Sequence, residues 1–170
     1  MNSVFYTSAA VAVIATLMVV TRARAMHALL YLIVSFVAIA LVFFVLGAPF
    51  AAALEVIIYA GAIMVLFVFV IMMLNLGSGA PGEPEFPSGG AWAGPAVLGG
   101  VLLAELVWII ANGASTATAA AVSPKQAAIA LYGPYVLGVE MASFLLLAGI
   151  VGAWHLGRGS RPGDAPEGEV

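Results

Sequence analysis

AALEVIIYAGAIMVLFVFVIMMLNL occupies residues 52–76. This one run decides the fold class. It is 25 residues of almost unbroken apolar side chains, with a single carboxylate, Glu55, near its start. A helix needs about 20 apolar residues to cross the hydrocarbon core of a bilayer. The run does not alternate, which excludes the strands of a membrane barrel. It therefore reads as a transmembrane helix with length to spare for a tilt or an irregular turn.

Four further runs of the same kind lie around it: roughly 4–20, 27–46, 94–111 and 134–156. The expectation is an all-α integral membrane protein with five transmembrane helices. They form one domain over residues 1–156, followed by a mobile cytoplasmic tail, 157–170. The first run is longer than a signal-peptide core, lacks a positive start and is followed by its arginines. It reads as a retained helix. Composition agrees. Of the 170 residues, 64% are hydrophobic and only 8% charged, where soluble domains carry about a quarter charged residues.

The breaks fall at helix-stopping residues. Thr21-Arg22-Ala23-Arg24 separates the first two spans, and Gly47-Ala48-Pro49 turns the chain after the second. The Gly- and Pro-rich stretch 77–90, with Glu83 and Glu85, reads as a solvated loop, and 112–122 as another. Ser123-Pro124 is a helix start, predicting a short surface helix over 124–132. Tyr6, Tyr31, Trp92, Tyr132, Tyr135 and Trp154 mostly fall near span ends, as an interfacial aromatic belt requires.

Zero cysteines exclude disulfides, thiolate metal sites and iron–sulfur ligation. His27 and His155 each lack a second ligand at metal spacing. No phosphate loop, dinucleotide fingerprint or nucleophile elbow is present, and no basic patch invites nucleic acid. Neither a redox centre nor an ATPase is expected in this chain.

Chemistry is confined to three carboxylates inside the spans: Glu55, Glu105 and Glu140. An ionisable group at membrane depth is costly, so it marks a proton or ion path by default. Glu55 and Tyr59 stand four apart on one helix face. Ala60-Gly61-Ala62 beside them removes bulk, and Gly61 lowers the cost of local distortion, including a π-bulge. Gly138 and Ala142 flank Glu140 at four-residue spacing, and Ser143 offers a hydroxyl. Glu105 sits among Val, Leu and Ala with no polar neighbour in sequence. The plainer reading of each carboxylate is a structural hydrogen bond between helices.

The run from Glu55 to Asn75 closely resembles the third helix of the subunit J family of respiratory complex I, the proton-pumping NADH:quinone oxidoreductase. His27–Ile33 is similar to the start of that family's second helix. Gly133–Ser143 is similar to the start of its fifth. The resemblance covers nearly the whole chain and is weakest over 77–121 and in the tail. It implies a non-redox subunit of the membrane arm in a bacterial inner membrane. Its partners there are the quinone-site subunit, the antiporter-like subunits and the lipid bilayer. It also implies a third helix that can carry a π-bulge and change shape during turnover. Carried over by position, Glu55, Tyr59 and Glu140 are proton-path residues and Gly61 is the hinge; Glu105 receives no role. FMN, iron–sulfur clusters, NADH and quinone belong to the assembled complex, and this chain is expected to hold none. The rival readings are a scaffold subunit, an independent small transporter, and the equivalent subunit of a hydrogenase-type or ferredoxin-linked complex.

Arg22 and Arg24 share a side of the membrane with Arg158 and Arg161, while the opposite side has only Lys125. The positive-inside rule therefore sets the N-terminus outside (periplasmic) and the C-terminus in the cytoplasm. A C-terminal tag is expected to be cleaved by protease added to inside-out vesicles; protection there would refute the orientation.

Overall fold

A computed structural model describes residues 2–74, 89–111 and 121–158. The loop expected over 77–90 falls outside the described residues up to position 88, as does most of 112–122 and the tail from 159. Among the described residues the chain is helical and contains no strand. Five helical stretches are long and apolar enough to cross a membrane: Ser3–Thr21, Ala25–Val45, Pro49–Leu74, Trp92–Ala111 and Val136–Gly157. Helices are forced here because a backbone polar group left unpaired in hydrocarbon costs several kcal/mol, and a helix pairs its own.

The chain divides into two units, 1–123 and 124–170. The first holds α1 (Asn2–Thr21), α2 (Ala25–Val45), α3 (Pro49–Leu54), a π-helical segment (Glu55–Ile63), α4 (Met64–Leu74) and α5 (Gly89–Ala111). α3, the π-helical segment and α4 together make the third span. α2 is its hub, packing against α1, against every part of the third span and against α5.

Side chains explain that centrality. Val11 of α1, Ala38 and Leu41 of α2, and Leu102 and Ile109 of α5 bury one another in a single cluster. Ala15 and Ala38 are wholly covered, because small residues let helix backbones approach where lipid supplies no hydrophobic drive. A polar seam reinforces α1 against α2. The Thr16 and Ser35 hydroxyls pair at 2.9 Å, and Ser35 Oγ also donates to the Ala12 carbonyl at 3.3 Å.

α5 passes close to α2 at Gly94, where a Cβ would lie 1.9 Å from the Tyr31 hydroxyl oxygen. Tyr31 is therefore buried, near the end of the span as its sequence position suggests, beside Arg22. Its ring lies under the Arg22 guanidinium, 5.3 Å from ring centroid to Cζ. The contacts Tyr31–Gly94 and Leu41–Leu102 run in the same chain direction, so α2 and α5 are parallel and α1 is antiparallel to both.

The turn from α2 into the third span is a Schellman cap. The Ala48 amide donates to the Phe43 carbonyl at 3.0 Å and the Gly47 amide to the Phe44 carbonyl at 3.1 Å. Gly47 has φ of 84°, the left-handed conformation that suits glycine. Pro49 then opens α3 at the position where its missing N–H costs nothing. The third span thus begins three residues ahead of the expected Ala52. α5 likewise starts at Gly89, so Gly89 and Gly90 are helical rather than loop, and Pro95 lies within that helix.

The second unit holds α6 (Pro124–Tyr132) and α7 (Val136–Gly157). The Tyr135 amide donates to the Ala130 carbonyl at 3.1 Å and closes the corner between them. A Cβ on Gly133 would come 2.7 Å from the Ile129 carbonyl oxygen, so a side chain there forces the corner open. At the far end of α7 the Arg158 guanidinium covers the Trp154 ring at 3.9 Å.

Gly47→Ala is expected to destabilise the chain by about 1 kcal/mol, the cost of the left-handed conformation for an L-residue. Reversible unfolding in mixed micelles measures it, and Gly99→Ala, whose Cβ would meet nothing within 4 Å, is the matched control.

Candidate functional site: an irregular third span and three membrane carboxylates

Glu55 is the first residue of the π-helical segment Glu55–Ile63. Here the hydrogen-bond register lengthens. The Glu55 amide still donates to Ala51, four residues back. The Met64 amide reaches the Gly61 and Tyr59 carbonyls, three and five residues back. A π-turn accommodates an extra residue while keeping the backbone paired, which is why such turns survive inside a membrane and recur at functional sites. Gly61 lies inside it. A Cβ there would come 3.2 Å from the Val56 carbonyl oxygen, also five residues back, so any side chain presses on the π-turn itself. Met64, only 2% exposed, anchors the end of the segment.

Glu55 is half-buried. Tyr59 follows one turn later; its ring meets Phe36 of α2 at 5.4 Å between centroids, tilted by 54°. The outer faces of the π-segment and α4 are apolar and largely uncovered by this chain, Ile57, Val65, Phe69 and Met73 among them. Glu140 belongs to the second unit. It is exposed on α7, a helix with no buried residue. Gly138 beside it has open space where a Cβ would stand. Ser143 donates to the Val139 carbonyl of its own helix at 3.0 Å. His27 and His155 take part in no cluster of metal-ligating side chains among the described residues.

Glu105 is the carboxylate that sequence reasoning left without a neighbour, and the fold supplies two. Ser8 Oγ donates to Glu105 Oε2 at 2.6 Å, and Thr7 Oγ1 donates to Oε1. Ser8 is fully buried. The carboxylate therefore ties α5 to α1 across nearly a hundred residues of chain. The available signal was the adjacent pair Thr7-Ser8 in an otherwise apolar helix. Glu105 lies six residues before the end of α5 and Ser8 six after the start of α1. At about 1.5 Å per residue both are some 9 Å from their helix ends. Glu55, six residues into the third span, lies at a similar depth from the same side.

These features define a polytopic helical membrane protein with an irregular third span and three carboxylates on helices long enough to cross a membrane. The family model described as NADH-ubiquinone/plastoquinone oxidoreductase chain 6 matches residues 15–156, and the chain belongs to that family. It is similar to the NADH-quinone oxidoreductase subunit J of Pseudomonas aeruginosa, at 55% identity over 93% of this chain and 97% of the relative. The protein of the same name from Escherichia coli K12 is 51% identical over 96% and 90%. That from Buchnera aphidicola subsp. Schizaphis graminum is 44% identical over 93% and 98%.

Removing the hydroxyls (Thr7→Val with Ser8→Ala) and replacing Glu105 by Gln should give non-additive losses of stability. The expected coupling is about 1 kcal/mol, the scale of membrane interhelical hydrogen bonds. Additive losses in a double-mutant cycle would mean that the contact holds nothing together.

Proposed function

We infer that the chain serves as the subunit J component of a membrane-bound NADH:quinone oxidoreductase and carries part of the coupling between quinone reduction and proton translocation. The identities to proteins of that name, over nine-tenths or more of both chains, support the placement in the complex. The electron-transfer cofactors, FMN and iron–sulfur clusters, belong to partner subunits. With cysteine absent, thiolate ligation of a cluster is not open to this chain. Its neighbours are the quinone-site subunit and the antiporter-like subunits. The membrane is the bacterial inner membrane, with the N-terminus periplasmic and the tail from 157 cytoplasmic.

The observation that carries the mechanism is the π-helical register from Glu55 to Ile63 with Gly61 inside it. Moving from an i−5 to an i−4 register costs no net hydrogen bond, so two shapes of the span stay close in energy. The change rotates everything downstream by roughly one residue, about 100°. Residues 64–74 would present a different face to their neighbours while Glu55, at the upstream edge, holds its place. In this reading Glu55 and Glu140 take and release protons, Tyr59 orders the hydrogen bonding beside Glu55, and the register change makes or breaks the water path between partner subunits. Glycine at 61 keeps the Val56 carbonyl free to belong to either register.

Gly61→Leu in the assembled complex should lower proton pumping and NADH:quinone turnover together by tenfold or more, on the order of 1.4 kcal/mol. Normal rates for both would remove the hinge. Glu55→Gln combined with Glu140→Gln should depress pumping while the assembly stays intact. Unchanged pumping would make these carboxylates structural, the scaffold reading.

A further inference from the structure

We propose that Glu105, cradled by Thr7 and Ser8, is a proton-exchanging carboxyl reached by water from the N-terminal end of α1. Three observations combine. The first is access. A groove of about 390 Å³ runs between α1 and α5, lined by Ser3, Thr7, Glu105 and Trp108 and walled by Val4 and Val101. Ser3 lies at the mouth of α1 and Thr7 one turn deeper, so polar side chains lead from the helix end to the carboxyl.

The second is that the site satisfies both protonation states. An ionised carboxyl needs donors, and Thr7 and Ser8 supply one to each oxygen. A protonated carboxyl needs an acceptor for its own O–H. Thr7 Oγ1 can accept it, because its hydroxyl hydrogen has other places to go: the Ser3 carbonyl at 2.8 Å and the Val4 carbonyl at 3.1 Å. Rotation of one hydroxyl therefore converts the cradle from one state to the other, with every polar group still paired.

The third is the electrostatic setting. Glu105 is the one charged side chain of α5, α1 has none, and α2 has only His27 in its first turn. His27, Arg22, Arg24 and Tyr31 cluster at the opposite end of the three helices. Tyr6, beside Thr7, is turned outward and packs edge-on against Phe5. Among the described residues of the first unit, no Lys or Arg shares the end of α1 and α5 where the carboxyl lies. None of these residues belongs to the π-segment, and the inference stands apart from the switch proposed above.

The test uses the assembled complex in sealed vesicles of either orientation, treated with a water-soluble carbodiimide. The reagent modifies protonated carboxyls, and peptide mass spectrometry locates the adduct. Glu105 is expected to be modified only when the reagent is added to the N-terminal face, with yield falling as pH is raised. Thr7→Val should move the pH at which the yield is half lost, whereas Thr7→Ser, which keeps the hydroxyl, should not. No adduct on Glu105 from either face, a yield independent of pH, or labelling from the C-terminal face alone would overturn the proposal. So would identical profiles for wild type and Thr7→Val. If Thr7→Val does not assemble, sidedness and pH dependence in the wild-type complex decide. A loss of pumping in Gly61→Leu with Glu105 labelling unchanged separates this site from the third-span switch.

Discussion

A backbone amide in hydrocarbon must find its partner within the protein, and that constraint governs this structure. It makes the spans helical and penalises any break in them. It also restricts how a span can be irregular. The π-helical segment Glu55–Ile63 meets the restriction by shifting partners from the fourth to the fifth residue back rather than by losing them. A span built this way deviates from α geometry without exposing a polar group to lipid.

The rest of the first unit packs against the inner face of the third span through α2. α2 is held on one side by α1 through Thr16 and Ser35, and on another by α5 through the Tyr31–Gly94 approach. Glu105 closes the triangle by binding α5 back to α1. The third span lies against this triangle with Tyr59 on Phe36 and Met64 buried at the end of the π-segment. Its opposite face, with Ile57, Phe69 and Met73, is apolar and exposed.

Legibility in the sequence followed the range of the interactions. Spans were readable because about 20 consecutive apolar residues have one physical solution in a bilayer. Gly47 was readable as a turn because its conformational requirement is local. The π register was not fixed by composition, since the same apolar residues suit an α- or a π-turn and the choice lies in which carbonyl each amide selects. A glycine between alanines marked where distortion was cheap, not that it occurred. The burial of Tyr31 is not legible locally, because it depends on a glycine sixty-three positions later. Glu105 looked isolated because its donors lie on the first helix. The plain hydroxyl reading of Ser143, bonded within its own helix, was open to local reasoning and is what the structure contains.

In the proposed mechanism the third span alternates between two registers as the complex works. The direct measurement is a set of structures of the assembled enzyme, resting and trapped during turnover, resolved well enough to assign the amide partners of residues 58–66. The account predicts that the Met64 amide bonds to the Tyr59 carbonyl in one state and to the Ala60 carbonyl in another, with residues 64–74 rotated between them. A Met64–Tyr59 bond retained in every state, with no rotation of that segment, would contradict it.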